Sequence, residues 1–232
     1  MFNRFLFCIL CSAFLLTHSY AADEWIVLSG GPALRSWEKT KEFPHDRVWD
    51  NFIFTAGLRL EQIKTEAAPD DVITWIVYRP GYERRGQEEG VDYLAKIEKK
   101  AQQLGARVLW VDHQNAVQNE LIDYINKGQD RTKIKIRNFD YFGHSNKACF
   151  FLDYSSGLDG VVMDYLHVTD LKLISKDSYM EGAKCQSYGC HSAALFTKKW
   201  AQYTGTHMIG TTSKTDYSTR SWPFPSKGGK WE

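Results

Sequence analysis

From Asp23 the chain reads Asp-Glu-Trp-Ile-Val-Leu-Ser-Gly-Gly, and Asp71-Val-Ile-Thr-Trp-Ile-Val-Tyr repeats the form before Pro80-Gly81. Both runs are continuously apolar rather than alternating, which predicts strands buried on both faces, each closed by a turn. Between them, Val48 to Ile63 carries apolar residues at helical spacing. Glu88 to Leu104 predicts a second helix, with Val91, Leu94, Ala95, Ala101 and Leu104 on one face and Gly105 as its stop. Arg107 to Asp112 predicts a third strand. Asn115 is placed to cap a helix through Leu121, Ile122 and Ile125 that ends near Gly128.

A fourth strand, Ile136 to Phe142, runs directly into Gly143-His144-Ser145-Asn146. Beyond it the pattern changes. Cys149 to Tyr154 predicts a short extra strand, and Ser155-Ser-Gly opens a stretch to Leu173 without strong periodicity. Lys184 to Gly189 predicts another strand ending at Cys190-His191-Ser192, then a helix from Ala193 to Tyr203 stopped by Gly205, then a last strand from Thr206 to Thr212. The tail around Trp222-Pro-Phe-Pro has turn chemistry and predicts irregular loop. Strands alternating with helices predict an α/β fold, a three-layer α/β/α sandwich on a mostly parallel sheet. Ligands of such sheets gather beyond the carboxyl ends of the strands.

The N-terminus changes the picture. Arg4, an apolar core from Phe5 to Leu16, a polar break at Thr17-His18-Ser19 and small residues at Ala21 and Ala22 have the three-part layout of a secretion signal. The apolar core is shorter than the roughly 20 residues that cross a bilayer, so residues 1–22 are expected to be removed without leaving a membrane anchor. Residues 23–232 then form one domain, secreted or periplasmic. A net charge of +1 with scattered basic residues gives no footprint for nucleic acid. The mature chain keeps Cys149, Cys185 and Cys190, an odd number for an oxidising compartment. Either one disulfide forms beside a buried spectator, or Cys190 stays free because it does chemistry.

Two strand ends carry reactive groups, Tyr141-Phe-Gly-His-Ser and Ser187-Tyr-Gly-Cys-His-Ser. A parallel sheet brings both to one rim. There Cys190 can serve as nucleophile, its thiolate favoured by the helix expected from Ala193, with His144 as acid and base. Backbone N–H groups of Ser145 and Cys190 are placed to hold a developing oxyanion. In order and local character these segments resemble the caspase-like cysteine peptidases, the group that includes caspases, gingipains and clostripain. In that group a histidine follows one core strand and a cysteine the next, and His144 and Cys190 keep about the 50-residue separation of caspases. The resemblance spans Ile136 to Thr212 in motif and the mature chain in topology. It implies an endopeptidase acting on a peptide or protein through a Cys–His dyad, without metal or organic cofactor.

Other chemistries use the same residues. Gly143-His-Ser145-Asn-Lys is similar to the serine elbow of α/β-hydrolases, with Asp164 or Asp170 as acid and His191 or His207 as base. Lys147, where the elbow wants glycine, and the extended look of Cys149 to Tyr154 weigh against it. Cys185, Cys190, His191 and His144 would make a metal site of non-standard spacing. Gly30-Gly31 lacks the rest of a phosphate-loop motif and is expected to be a plain turn. Glu83-Arg-Arg-Gly-Gln-Glu-Glu is expected to be a solvated loop and helix start. A non-catalytic exported binding module, presenting the aromatic tail, is the alternative to any enzyme.

Overall fold

The computed structural model describes residues 22–40, 50–154 and 163–232. Residues 1–21 of the stretch expected to be an export signal, Val48 and Ser155-Ser-Gly lie outside the described residues. β1 (Ala22–Ser29) is followed by α1 (Arg35–Thr40) and α2 (Asn51–Glu66), and β2 (Val72–Tyr78) by α3 (Arg79–Glu89) and α4 (Tyr93–Leu104). β3 (Arg107–Val111) leads through α5 (Glu120–Lys127) to β4 (Ile134–Phe142). Then come β5 (His144–Ser145), β6 (Cys149–Phe151) and β7 (Tyr165–His167), which pair antiparallel as a small separate sheet. β8 (Tyr179–Ser187), α6 (Phe196–Thr204) and β9 (Met208–Ile209) return to the main sheet, and β10 (Thr215–Asp216) pairs with β11 (Phe224–Pro225) as a hairpin.

The main sheet has six strands in the order β3-β2-β1-β4-β8-β9, every neighbouring pair parallel. The continuous apolar runs follow from this burial. Trp25 and Val27 of β1 join Phe52, Leu60 and Ile63 of α2 and Ile97 and Ala101 of α4 in one core. Ile26 and Leu28, one residue out of phase, join Leu121 and Ile125 of α5 and Phe196 and Trp200 of α6 in the other. Helices on both faces make the three-layer α/β/α sandwich. The chain moves outward one way from β1 through β2 to β3, then the other way from β4 to β9, so the order reverses between β1 and β4. In such sheets ligands gather beyond the carboxyl ends at the point of reversal.

Several local expectations change. Pro80-Gly81 does not close β2 with a turn but opens α3, where a proline lacks nothing because first-turn N–H groups have no helical partner. The helix expected from Glu88 is two helices. Gly90, at φ 65°, ends α3 in the left-handed region, and the Asp92 carboxylate then caps α4 by accepting from the Ala95 N–H at 2.9 Å. The Glu83 to Glu89 stretch is therefore helical, and Arg85 within it is buried against Glu38 of α1. Asn115 caps no helix. Its side chain accepts from Val117 and Gln118 in a turn, and α5 starts later, where Gln114 Oε1 accepts from the Leu121 N–H at 3.0 Å.

Near the C-terminus, β8 begins at Tyr179, earlier than the apolar pattern indicates, and α6 begins at Phe196 after a 3₁₀ turn over Ser192–Ala194. β9 is two residues long because the amides of Gly210 and Thr212 turn to the carbonyls of Glu232 and Lys230. The tail is thus held by a hairpin and by pairing at its end. Among the described residues no helix is long and apolar enough to cross a membrane.

Candidate functional site

β4 and β8 are neighbours in the sheet, so the segments leaving their carboxyl ends emerge side by side. The first passes through Gly143 into β5, a hairpin partner of β6, which fixes His144 opposite Phe151 and Ser145 opposite Phe150. The Tyr141 hydroxyl lies 2.6 Å from the His144 carbonyl and 3.0 Å from that of Phe151, pinning the hairpin to the strand end. Asn146 N–H donates to the Cys149 carbonyl at 3.0 Å. Antiparallel pairs alternate, so the Ser145 pair is the one whose N–H turns out of the hairpin. The His144 ring meets Phe52 edge-on at 4.9 Å and Tyr154 at 5.0 Å.

The second segment, Tyr188-Gly-Cys-His-Ser, is tied to the first at each end of its turn. Tyr188 N–H donates to the Tyr141 carbonyl at 2.8 Å, and the Ser145 hydroxyl donates to the Cys190 carbonyl at 2.7 Å. A Cβ on Gly189 would stand 2.7 Å from Ser145 Cβ and against its hydroxyl, so only glycine lets the two segments close together. His191 is the one non-glycine residue with positive φ among the described residues, at 55°. Left-handed backbone in such a residue is sparsely populated and tends to mark functional turns. Its N–H donates to the Ser213 carbonyl at 2.7 Å, and the Ala193 N–H to that of Thr211 at 3.1 Å.

Cys190 is a half-buried thiol outside any disulfide. The Thr215 backbone N–H points at its sulfur, 3.4 Å away. This donor, and not the first turn of a helix, is the dipole beside the sulfur, since α6 begins only at Phe196. Cys149 and Cys185 are buried and likewise outside any disulfide, so of the two alternatives the one with a disulfide among the three is not formed. Burial, reinforced by Asp170, pushes the Cys149 thiol up to about 12. Burial, reinforced by Asp140, raises Cys185 as well. Both are core fillers in their protonated form.

Ser145 does not sit in a strand-turn-helix elbow, because an antiparallel hairpin follows it and its hydroxyl is engaged with Cys190. Asp164 is spent on the Tyr78 hydroxyl, the Gln114 N–H and the Asn115 amide. Asp170 accepts from His167 N–H and the Thr169 hydroxyl. The residues of the metal alternative are divided, with Cys185 inside the core that faces α5 and α6 and Cys190 on the rim. Among the described residues no three or more metal-ligating side chains come together. Gly30 and Gly31 N–H groups donate to the carbonyls of Phe142 and Leu152, as a structural turn does.

Four residues near the rim have no signal in the sequence. Asn51 and Phe52 come from the first turn of α2, and Thr215 and Tyr217 from the segment at β10. Asn51 Nδ2 donates to the carbonyls of Tyr217 and, at 3.1 Å, Thr219. Phe52 stands edge-on to Tyr217 at 4.9 Å, and the Tyr217 hydroxyl donates to the Tyr188 carbonyl at 2.9 Å. Below Tyr188, a cavity of about 460 Å³ lies over β4, β8 and β9, lined among others by Arg59, Asp140, Lys184 and Ile209. No family model matches the chain, and neither does a curated protein or a solved structure.

Proposed function

We propose that the chain is an exported cysteine hydrolase, a caspase-like endopeptidase in which Cys190 is the nucleophile and His144 the acid and base. The observation that carries this is the 2.7 Å bond from the Ser145 hydroxyl to the Cys190 carbonyl, which joins the two reactive strand ends on one rim. A thiol outside any disulfide, with a backbone N–H 3.4 Å from its sulfur, supports the nucleophile's role. The signal-like N-terminus supports export. No metal or organic cofactor is needed.

In this reaction the Cys190 thiolate bonds to the substrate carbonyl carbon, and His144 protonates the leaving amine as the C–N bond breaks. Water, deprotonated by the same imidazole, then releases the acyl group and restores the thiol. The Ser145 and Cys190 amides stabilise the oxyanion of both tetrahedral states.

Activity against a peptide-substrate library, measured on purified variants that keep the wild-type fold, tests the assignment. Cys190→Ala reduces turnover to background and His144→Ala lowers it by about 10²–10⁴-fold. Ser145→Ala loses one hydrogen bond and falls by no more than about tenfold. A chain inactivated by Ser145→Ala alone, with Cys190→Ala still active, is a serine hydrolase and the proposal is wrong. A folded wild-type chain that cleaves nothing and alkylates Cys190 at the rate of an ordinary thiol is a binding module instead.

A further inference from the structure

The first turn of α2 touches both halves of the rim. Phe52 packs edge-on against the His144 imidazole at 4.9 Å, and its ring meets Tyr217 at the same distance. Asn51, next along the helix and fully buried, donates through Nδ2 to the carbonyls of Tyr217 and Thr219. That segment also carries Thr215, whose N–H lies on the Cys190 sulfur. One helix turn thus fixes the position of the imidazole directly and of the thiol's hydrogen-bond donor through a backbone held at two carbonyls.

A further observation sets Asn51 apart from an ordinary tie. With Nδ2 committed to two carbonyls, the amide cannot be flipped, and its Oδ1 is buried with no hydrogen-bond partner among the described residues. A fold optimised for stability alone avoids such an atom, because an unsatisfied buried acceptor is costly. Thr215 Oγ1 is in the same condition. Both atoms, without partners among the described residues, flank the path from α2 to the sulfur. An aliphatic side chain would fill the volume of Phe52 without the edge-on geometry that an imidazole face selects.

We infer that Asn51 and Phe52 are positioning residues of the Cys190–His144 pair, clamping the β10 segment and the imidazole so that the sulfur is held as a thiolate. The inference rests on the proposed dyad. Without the Asn51 amide, the 215–219 backbone relaxes and the Thr215 N–H leaves the sulfur. Without the Phe52 ring, the imidazole loses the surface that fixes its plane. Neither residue contacts substrate or takes a proton. Both act through the groups they hold.

The test is the pH dependence of Cys190 alkylation by iodoacetamide, read by mass spectrometry on the full folded chain, with thermal melting and near-ultraviolet dichroism alongside. Wild type alkylates with a midpoint below that of a free thiol, near 8.5. Phe52→Leu and Asn51→Asp raise the midpoint by about one unit, a tenfold loss of thiolate at neutral pH, while dichroism stays native. Phe52→Trp, which keeps an aromatic edge, recovers part of the shift. Asn51→Ala gives the same shift if it folds, and the other two variants decide the matter if it does not. Folded Phe52→Leu and Asn51→Asp proteins with the wild-type midpoint overturn the inference and leave the dyad standing. A wild-type midpoint at the free-thiol value overturns both.

Discussion

Gly189 is where a single added carbon has the most direct consequence. A Cβ there would lie 2.7 Å from Ser145 Cβ and 3.2 Å from a Tyr141 ring carbon. Neither neighbour can yield freely, because Ser145 is held by β6 and by its bond to Cys190, and Tyr141 is fully buried. Gly189→Ala is expected to cost about 1–3 kcal/mol, as overpacking of a close contact does. It also parts the Ser145 hydroxyl from the Cys190 carbonyl. Urea unfolding checks the first effect, and adding Ser145→Gly should return much of the lost stability by vacating the contested space. If Gly189→Ala unfolds at the wild-type urea concentration, the two segments are less tightly apposed than these distances require. At this scale the meeting of the His144 and Cys190 segments was legible in the sequence because each follows a strand and a glycine, a pattern local to a few residues. Asn51, Phe52, Thr215 and Tyr217 were not, since Asn51 and Tyr217 meet across 166 positions and nothing near either reports the other.

Among the elements, α1 and α3 are joined by a buried clasp. Arg85 donates to both oxygens of Glu38 at 2.8 and 2.6 Å and to the Ala33 carbonyl at 2.7 Å. Burial, outweighing the neighbouring Arg85, pushes the Glu38 carboxyl up from 4.5 to about 7. Its folded form holds the proton more tightly than its unfolded form. The sign follows: Glu38 supports folding fully below pH 4.5, and that contribution is lost as pH rises towards 7. Melting temperatures taken across this range should fall with rising pH more steeply in wild type than in Glu38→Gln, which cannot ionise. Parallel curves for the two proteins would mean that the clasp does not titrate in this range. The same clasp shows why element boundaries were harder to read than element types. The charged run Glu83 to Glu89 has the composition of a solvated loop, yet in the fold Arg85 turns inward to Glu38. Likewise a helix through Gly90 fits the spacing of Val91, Leu94 and Leu104, and only the left-handed φ of Gly90 divides it from α3. Distant partners and backbone angles decided these cases, and apolar spacing records neither.

For the molecule as a whole, α2 is the member that couples helix layer, sheet and rim. Its first turn clamps the reactive strand ends, and at its middle Arg59 reaches into the sheet. There Arg59 donates to Asp140 at 2.5 Å and to Asn138 at 3.0 Å, both on β4, the strand that leads to His144. Arg59 is 9% exposed and Asp140 3%, so water screens the pair little. Burial raises the Asp140 carboxyl, and Arg59 opposes that rise. Removing the cation alone strands a carboxylate in the interior, so Arg59→Met should cost about 3–5 kcal/mol, whereas a buried pair replaced as a whole by apolar groups is often nearly neutral. The double variant Arg59→Met/Asp140→Leu should therefore be more stable than Arg59→Met alone. The pH dependence has a definite direction too. In Arg59→Met, Asp140 takes up a proton on folding, and the deficit relative to wild type shrinks as pH falls. Urea unfolding of the four proteins of this cycle, at neutral and acid pH, separates coupling from simple loss of packing. Additive costs for the two single changes, with no recovery in the double variant, would mean that α2 is held to β4 by its apolar face alone. The rim would then depend on the first turn of α2 without the anchor at its middle.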